Sequence, residues 1–260
     1  MKYDLALFTR LNEEYRDRPL VPRPPVYDPV SLAGRGRKRA AGLVAKHRVA
    51  GRRVLEIGCG RGEVCRVLAA EHGCEAVGVD IRAYPEWAEA PSGARLLATD
   101  LSAPGAAPDL GRFDFIYSNA VFEHVRHPHA MLAKAFEILR PGGRMLLSAN
   151  LYRGPKASHR YREVFFPWPH LLFSDEVFAE YYVSIGRPPA RPAWVNQLSV
   201  ADYCNYFGLI GFELRELGFS KTPIDEPFYQ RFADKLERIP RFDLERDFLI
   251  ALLERPAGMP

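Results

Sequence analysis

A glycine-rich segment, GCGRG at residues 58–62, directly follows the sequence VLEI at residues 54–57, in which Val54, Leu55 and Ile57 are apolar. Two acidic residues flank the glycine-rich segment: Glu56, two positions before it, and Glu63, directly after it. The apolar run is typical of a buried parallel strand. Glycines at every second position predict a sharp turn that lets the backbone approach a ligand closely. The N–H groups of a helix that begins near Glu63 would point toward a ligand above the turn. The order of strand, glycine turn and helix therefore predicts a nucleotide-cofactor site.

The spacing of the glycines distinguishes between cofactors. The dinucleotide fingerprint is G-x-G-x-x-G, in which the third glycine allows close packing of helix and strand beside the pyrophosphate. Here the spacing is G-x-G-x-G, and Glu63 occupies the position of that third glycine, where a carboxylate would repel a pyrophosphate. Glu56 suits a positively charged amino or sulfonium group better than a phosphate. The residues favour such a cofactor over NAD, and an NAD-linked dehydrogenase stays as an alternative.

Five motifs in residues 52–150 resemble, in order and spacing, the class I S-adenosylmethionine (SAM)-dependent methyltransferases. They are the glycine turn, VGVDI at 77–81, ATDL at 98–101, FDFIYSNAVFEHV at 113–125 and LRPGGRMLLS at 139–148. The resemblance is strongest to the group similar to quinone-biosynthesis methyltransferases (methyltransferase type 11). It implies a Rossmann-like fold, SAM as the cofactor and methyltransferase activity.

The resemblance also implies a set of cofactor-binding residues. Asp80 ends the second strand about twenty residues after the glycine turn, where it would bind the ribose hydroxyls. Asp100 would lie near the adenine amino group, with an apolar neighbour against the ring. The predicted cofactor-binding set is Glu56, Gly58, Cys59, Gly60, Gly62, Asp80, Ile81, Asp100, Leu101 and Asn119.

Histidines are the candidates for a catalytic base. A hydroxyl acceptor must lose its proton, and an imidazole with a pKa near neutrality is the usual proton acceptor. His124 follows the fourth predicted strand, while His159 and His170 lie further along the chain, with Tyr161 as a candidate orienting phenol. No clustered Asp and Asn ligands and no C-x-x-C pair indicate a metal site, so transfer without a metal is predicted.

The elements that must position these residues alternate along the chain. Strands are predicted at residues 54–57, 76–80, 95–98, 113–117, 144–149, 212–217 and 247–253, with helices at 31–47, 63–71, 128–139 and from 199. This alternation predicts an α/β fold with a doubly wound, mostly parallel sheet. The resemblance implies seven strands, the last of them antiparallel. The cofactor is expected at the carboxyl ends of the strands.

Composition changes along the chain predict four segments. Residues 1–50 would form an N-terminal arm and helix, 51–150 the SAM-binding core, 151–198 an insertion, and 199–260 the completion of the sheet. The insertion is rich in proline, aromatic residues and arginine. Insertions of this length usually have a functional cause, so this one is a candidate substrate lid. An interface between protomers is the alternative, because aromatic and arginine residues also enrich interfaces.

The bulk properties of the chain limit its partners. The net charge of +4 over 260 residues is too small to predict nucleic-acid binding. The segment SNAV at 118–121 also lacks the proline-rich motif of enzymes that methylate DNA bases. Neither a membrane-spanning run nor a secretory signal is recognisable, and the four cysteines form no obvious pair. We therefore expect a cytoplasmic monomer or homodimer that acts on a small-molecule acceptor.

Together these observations predict SAM-dependent methyl transfer to a hydroxyl of a small molecule such as a sugar, glycolipid or secondary metabolite. In-line displacement would draw much of its acceleration from bringing donor and acceptor together. Methyl transfer to nitrogen or carbon is one alternative. A SAM-binding scaffold without catalysis, acting through its insertion as an interaction module, is another.

Overall fold

The computed structural model describes residues 2–103 and 109–258. Within them, seven strands are formed: β1 (Arg53–Ile57), β2 (Glu75–Asp80), β3 (Ala94–Ala98), β4 (Phe113–Asn119), β5 (Leu139–Asn150), β6 (Glu213–Lys221) and β7 (Arg246–Glu254). The α-helices are α1 (Leu5–Glu14), α2 (Pro29–His47), α3 (Glu63–His72), α4 (Pro128–Ile138), α5 (Pro169–Leu172), α6 (Asp175–Ser184), α7 (Val200–Ile210), α8 (Glu226–Arg231), α9 (Ala233–Leu236) and α10 (Arg241–Leu244). Two short 3₁₀ helices span Pro85–Glu89 and Phe122–His124. None of the described helices combines the length and the apolar character that crossing a bilayer requires.

The strands form one sheet in the order β3-β2-β1-β4-β5-β7-β6. From β3 to β5 every pair of neighbours is parallel. β7 runs antiparallel to β5: Gly142 and Gly143 share backbone hydrogen bonds with Arg255, whereas further along β5 the N–H of Leu151 donates to Asp247. As the residue numbers rise along β5, those of the bonded residues on β7 fall, which defines an antiparallel pair. The predicted doubly wound, mostly parallel sheet of seven strands with an antiparallel last strand is confirmed.

Burial explains why β1 lies at the centre of the sheet. Val54, Leu55 and Ile57 are at most 2% exposed although neighbouring side chains in a strand point to opposite faces. An apolar residue on either face is typical of a strand covered by helices on both sides. The chain moves outward from β1 through β2 to β3 and then returns to β4, so the switch point of the sheet lies between β1 and β4.

Helix α2 owes its limits to local sequence. The carboxylate of Asp28 accepts a hydrogen bond from the N–H of Ser31 at 3.0 Å, and Pro29 opens the first turn. Both features favour the start of a helix at this position. The helix ends where Arg48 adopts the left-handed conformation. It packs against α3, which in turn packs against β2 and β3.

The structure differs from the sequence prediction at residues 139–143. The sequence predicts a helix that ends at residue 139 and a strand from residue 144; α4 does end there, at Ile138, but β5 already begins at Leu139. Its pairing with β4 shifts register between Phe113 and Phe115, and Gly142 takes a φ of +76° within the shift. The glycine therefore lies in an irregular part of the pairing between β4 and β5.

The chain divides into two compact units. The first contains residues 2–25, 150–200 and 219–249. The second contains the described residues of 26–149, 201–218 and 250–258, and with them most of the sheet. The four segments predicted from composition remain a prediction.

An aromatic cluster forms the core of the first unit. The ring of Phe8 on α1 is fully buried and meets the rings of Phe166, Phe173 and Phe178 edge-on, with centroids 4.9–5.1 Å away. Such pairs contribute about 0.5–1.5 kcal/mol each beyond the burial of their surface. Helix α1 is therefore joined by packing to residues that follow it by more than 150 positions.

Candidate functional site

The glycine turn after β1 is fixed from two sides. The N–H groups of Gly58 and Cys59 both donate to the carbonyl oxygen of Val79 on β2, at 2.8 and 3.0 Å. The N–H of Gly60 donates to a carboxylate oxygen of Asp80 at 2.9 Å. From the other side, the indole N–H of Trp87 donates to the carbonyl oxygen of Gly60 at 2.8 Å. The turn is therefore held in one shape by β2 and by the 3₁₀ helix Pro85–Glu89.

A cavity of about 710 Å³, which we call the strand-end cavity, opens where β1, β2, β3 and β4 end. It brings together seven residues of the predicted site: Gly58, Asp80, Ile81, Asp100, Leu101, Asn119 and His124. These residues come from four separate stretches of sequence. Their convergence follows from the parallel order of the strands, whose carboxyl ends meet at one edge of the sheet.

A second cavity of about 370 Å³, which we call the arginine cavity, lies on the α2 side of the glycine turn. From the predicted set it is lined by Glu56, Gly58, Cys59, Gly60 and Asn119. Four arginines, Arg35, Arg39, Arg61 and Arg82, also line it. The two cavities share Gly58 and Asn119, so they are adjacent.

Gly62 lies outside both linings. It is the residue before α3 and has a φ of +84°, and a Cβ atom there would come within 2.6 Å of Leu96 Cδ1. Its place in the glycine motif is explained by the close packing of the turn against β3.

Glu56 is an acid in an unfavourable environment. The residue is only 7% exposed, and burial raises the pKa of its carboxyl group to about 8. The thiol of Cys65 donates to its Oε2 at 3.2 Å, which opposes the shift, as does the charge of Arg39. Because desolvation outweighs both effects, the carboxyl group is mostly protonated at neutral pH.

Replacing Glu56 by glutamine is expected to make folding stability less dependent on pH. In the unfolded chain the acid ionises near its ordinary pKa of 4.5, whereas the folded protein keeps the proton until about pH 8. The wild-type protein should therefore lose stability as pH rises across that window, by up to about 1.4 kcal/mol per pH unit. Urea denaturation of both proteins at pH 5 and pH 8 tests this. A stability difference that does not grow with pH would show that Glu56 is ionised in the folded protein.

Replacing Gly58 by alanine is expected to destabilise the protein more than the same change at Gly60. Both glycines have positive φ, +75° and +53°, so both variants incur the steric cost of about 1–2 kcal/mol. A Cβ atom on Gly58 would in addition overlap the side chain of Val121, whereas no atom lies within 4 Å of a Cβ on Gly60. Urea denaturation of the two variants measures the difference, and equal losses would show that Val121 can move aside.

Asp80 and Asp100 occupy comparable positions but have different surroundings. Asp80 uses its two carboxylate oxygens for the N–H of Gly60 at 2.9 Å and the N–H of Arg82 at 3.4 Å. Asp100 is exposed and accepts from both the N–H and the hydroxyl of Ser102, at 2.8 and 2.6 Å. The second arrangement is the local turn that acids often form at strand ends. Asp80 is thus part of the glycine turn itself, whereas Asp100 belongs to the cavity wall.

The candidate base His124 ends the 3₁₀ helix that follows β4. Its side chain is exposed and lines the strand-end cavity. Ala120, just before this helix, has a φ of +54°, a conformation that non-glycine residues rarely adopt. Strain of this kind persists only where the surrounding structure enforces it. The turn after β4 therefore presents His124 in a fixed place.

His159 belongs to the first unit and has a φ of +54° as well. Its Nε2 atom lies 3.3 Å from Oδ1 of Asn150, whose amide group donates to the carbonyl oxygen of Asp247 at 2.8 Å. That second bond fixes the orientation of the amide, so Oδ1 faces the imidazole. Because an amide oxygen only accepts, Nε2 must carry the proton in the neutral ring.

The other predicted residues in the first unit are less suited to catalysis. Burial lowers the pKa of His170 to about 4, and its Nε2 donates to the carbonyl oxygen of Tyr152 at 2.6 Å. A base with so low a pKa has little driving force to accept a proton from a hydroxyl. The ring centroid of Tyr161 lies 6.5 Å from that of His159, a tilted ring contact.

Several residues of the site were not predicted from the sequence. Trp87 holds the glycine turn, Asn150 orients His159, and Arg35 and Arg39 line the arginine cavity. The two arginines carry a signal that sequence analysis could have used: a spacing of four residues places them on one face of α2. For Trp87 and Asn150 the contact depends on folding, and no spacing in the sequence indicates it.

Comparisons with known proteins agree with this geometry. Residues 31–217 match the family described as "Methyltransferase domain". The ubiquinone biosynthesis O-methyltransferase of Pseudomonas aeruginosa is 30% identical over 114 residues, which are 42% of this chain and 48% of that protein. The enzyme of the same name from Marinobacter nauticus is 26% identical over 188 residues, 69% of this chain and 72% of that protein. The chain thus spans about half the length of the first of these relatives.

Two solved structures show the same fold. A SAM-dependent methyltransferase from Mesorhizobium loti superposes with a TM-score of 0.53 at 19% identity, over 84% of this chain and 96% of that one. Magnesium protoporphyrin IX methyltransferase from Synechocystis, with bound S-adenosylhomocysteine (SAH), gives a TM-score of 0.51 at 18% identity, over 98% and 100% of the two chains.

Proposed function

We propose that this chain, which belongs to the methyltransferase domain family, transfers the methyl group of SAM to a hydroxyl oxygen of a small molecule. The sulfonium of SAM supplies an electrophilic methyl group, so the protein has to bind, orient and deprotonate. One observation carries the proposal: the glycine turn, Asp80 and Asn119 meet in the lining of the strand-end cavity.

The strand-end cavity fits the adenosine part of SAM. Its volume of about 710 Å³ is in the range that small-molecule ligands occupy. Ile81 is 78% exposed at this cavity, and Leu101 is almost fully buried beside it. A planar base would cover the first and pack against the second. We assign the ribose hydroxyls to Asp80 and the adenine amino group to Asp100.

The arginine cavity fits the amino-acid end of SAM. Gly58, Cys59, Gly60 and Asn119 line it with backbone and amide groups, and Glu56 adds a buried acid. A cationic group beside Glu56 favours the ionised carboxylate and so opposes the effect of burial on its pKa. Gly62 contributes through the shape of the turn.

A hydroxyl acceptor needs a base, for which we propose His124 or His159. His124 lines the strand-end cavity, and Nε2 of His159 lies 3.3 Å from Oδ1 of Asn150. Positioned general bases contribute about 10²- to 10⁴-fold to the rate. Aligning the acceptor oxygen with the methyl group supplies a further share without any covalent chemistry by the protein.

Support for a hydroxyl acceptor comes from the relatives named as O-methyltransferases, of which the first covers less than half of this chain. A ring or sugar acceptor also agrees with the aromatic and arginine content of residues 151–198, whose role as a substrate lid remains a prediction.

Methyl transfer should be assayed with the purified protein, methyl-labelled SAM and a panel of phenols, sugars and glycolipids. Each acceptor is paired with its O-methylated analogue, in which the reactive hydroxyl is blocked. With the compound that carries the free hydroxyl, we expect release of SAH and a product that has gained one methyl group. With the O-methylated analogue we expect neither. Label transferred to blocked analogues would indicate a nitrogen or carbon acceptor. Binding of SAM without turnover on any acceptor would favour the scaffold alternative, and absence of SAM binding would exclude the proposal.

A further inference from the structure

We propose that the outward side of α2 binds the surface of a membrane that contains anionic lipids. Helix α2 packs against α3, and its exposed residues include Val30, Gly34, Lys38, Ala41 and Ala45. These positions follow the helical repeat, so they form one stripe along the helix, which we call the outward face. The inference concerns a surface of the second unit and does not depend on methyl transfer.

The positive charge of the chain is concentrated around this helix. Residues 26–53 contain eight Lys and Arg residues and one acid, Asp28. Of the totals of 36 basic and 32 acidic residues, this leaves 28 basic and 31 acidic residues for the rest of the chain. The positive net charge therefore comes from this segment alone. A local asymmetry of this kind indicates a negatively charged partner.

Half of these basic residues are available to such a partner. The other half are engaged elsewhere: Arg37 pairs with Glu71, Arg53 pairs with Glu75, and Arg35 and Arg39 line the arginine cavity. Of the four that remain, Lys38 lies on the outward face, and Lys46, Arg48 and Arg52 follow near and beyond the end of the helix. All four are exposed. Among the described residues, no carboxylate lies within ion-pair distance of any of them.

The N-terminal end of the outward face is apolar and open to solvent. Val26 is 55% exposed, Tyr27 60% and Val30 82%. In a helix that lies on a membrane, such side chains enter the boundary between headgroups and acyl chains, where tyrosine is enriched. Basic residues on the same helix then contact the anionic headgroups. Tyr27 also lines the arginine cavity, so a bound protein would have that cavity close to the lipid.

Two other partners fit the outward face less well. A second copy of the chain would bring Lys38 close to its own counterpart, and α2 contains no acid that could pair with it. A nucleic acid would supply negative charge through its phosphates, but it would offer no apolar environment to Val26 and Val30. An anionic lipid surface supplies both the charge and the apolar environment, so the observations favour it.

The test is cosedimentation of the full chain with vesicles of phosphatidylcholine alone or of phosphatidylcholine mixed with anionic phosphatidylglycerol. We expect binding to the mixed vesicles only, and weaker binding at high salt, because salt screens exposed charges. The double variant Lys38→Gln, Lys46→Gln should bind at least tenfold more weakly, since each basic residue near an anionic surface contributes about fivefold. Val30→Ser should bind at least threefold more weakly, because it removes an apolar side chain from the lipid.

The double variant Arg95→Gln, Arg238→Gln is the matched control, because it removes two exposed positive charges outside residues 26–53. It should bind the mixed vesicles as the wild type does, and thermal unfolding should show all variants folded. Absence of binding to the mixed vesicles, an equal loss in the control, or unchanged binding of Val30→Ser would each overturn the inference. Binding of duplex DNA or RNA without binding of vesicles would also overturn it, in favour of a nucleic-acid surface. SAM takes no part in these measurements, so a failure here is distinguishable from a failure of the proposed function.

Discussion

Replacing Asp80 by asparagine should weaken SAM binding by about 10- to 100-fold and leave the protein folded. Asparagine retains an oxygen that can accept from the N–H of Gly60, a bond of 2.9 Å in the wild type. It loses the negative charge and one of the two acceptor oxygens that the ribose hydroxyls would use. Hydrogen bonds to charged groups contribute about 1.5–3 kcal/mol, and 1.4 kcal/mol corresponds to a factor of ten. Calorimetric titration with SAM and SAH measures the loss.

Two further variants separate binding from structure. Asp80→Ala removes the acceptor for Gly60 as well, so it should lose thermal stability in addition to affinity. Asp109→Asn neutralises an exposed carboxylate that, among the described residues, accepts from the N–H of Gly111 and is absent from the linings of both cavities. It should bind SAM normally. If folded Asp80→Asn also binds SAM normally, the assignment of the ribose to Asp80 is wrong.

We expect one of the two variants His124→Ala and His159→Ala, the one that removes the base, to have a kcat about 10²- to 10⁴-fold below that of the wild type. That variant should still bind SAM with the affinity of the wild type. The expected size is that of a positioned general base, and SAM affinity is spared because neither imidazole is assigned to the cofactor. Steady-state kinetics with the acceptor found in the panel, together with calorimetry for SAM, measure the two quantities separately. His129→Ala is the control, because His129 is exposed on α4 and packs against the ring of Tyr206.

Asn150→Ala shows whether the orientation of His159 matters for its chemistry. Without Oδ1 of Asn150, the neutral imidazole should no longer favour the Nε2–H tautomer, which ¹⁵N NMR of the ring detects directly. If His159 is the base, kcat falls in this variant too, by less than in His159→Ala. Full turnover in both His124→Ala and His159→Ala would show that neither residue is the base.

The sheet could be predicted from the sequence because its signals are local. Residues 54–57 were predicted as a strand, and β1 spans Arg53–Ile57; the helix predicted at 63–71 is α3, Glu63–His72. Short apolar runs, glycines and helix-length spacings are properties of neighbouring residues. Once the strands and their parallel order are known, the meeting of Gly58, Asp80 and Asn119 at one edge follows from topology.

Other parts of the site depend on contacts between residues that are distant in the chain. Asn150 meets His159 only because its amide is held by Asp247, 97 positions later. The early start of β5 at Leu139 depends on its pairing with β4, whereas the local sequence predicts a strand only from residue 144. Arg35 and Arg39 belong to a run of basic residues whose composition is equally typical of a solvated helix face. In each case the fold, and not the local sequence, brings the neighbouring residues together.

The position of β7 has a consequence for how the protein is made. β7 is the last of the seven strands along the described chain, yet it occupies an inner position between β5 and β6. While the chain is growing, β5 and β6 therefore expose edges that will later be covered, and open edges invite pairing with other chains. The first unit is equally dependent on late synthesis, because α1 packs against aromatic residues made much later. Both units contain residues beyond 240, so neither unit is complete before that part of the chain has been synthesised.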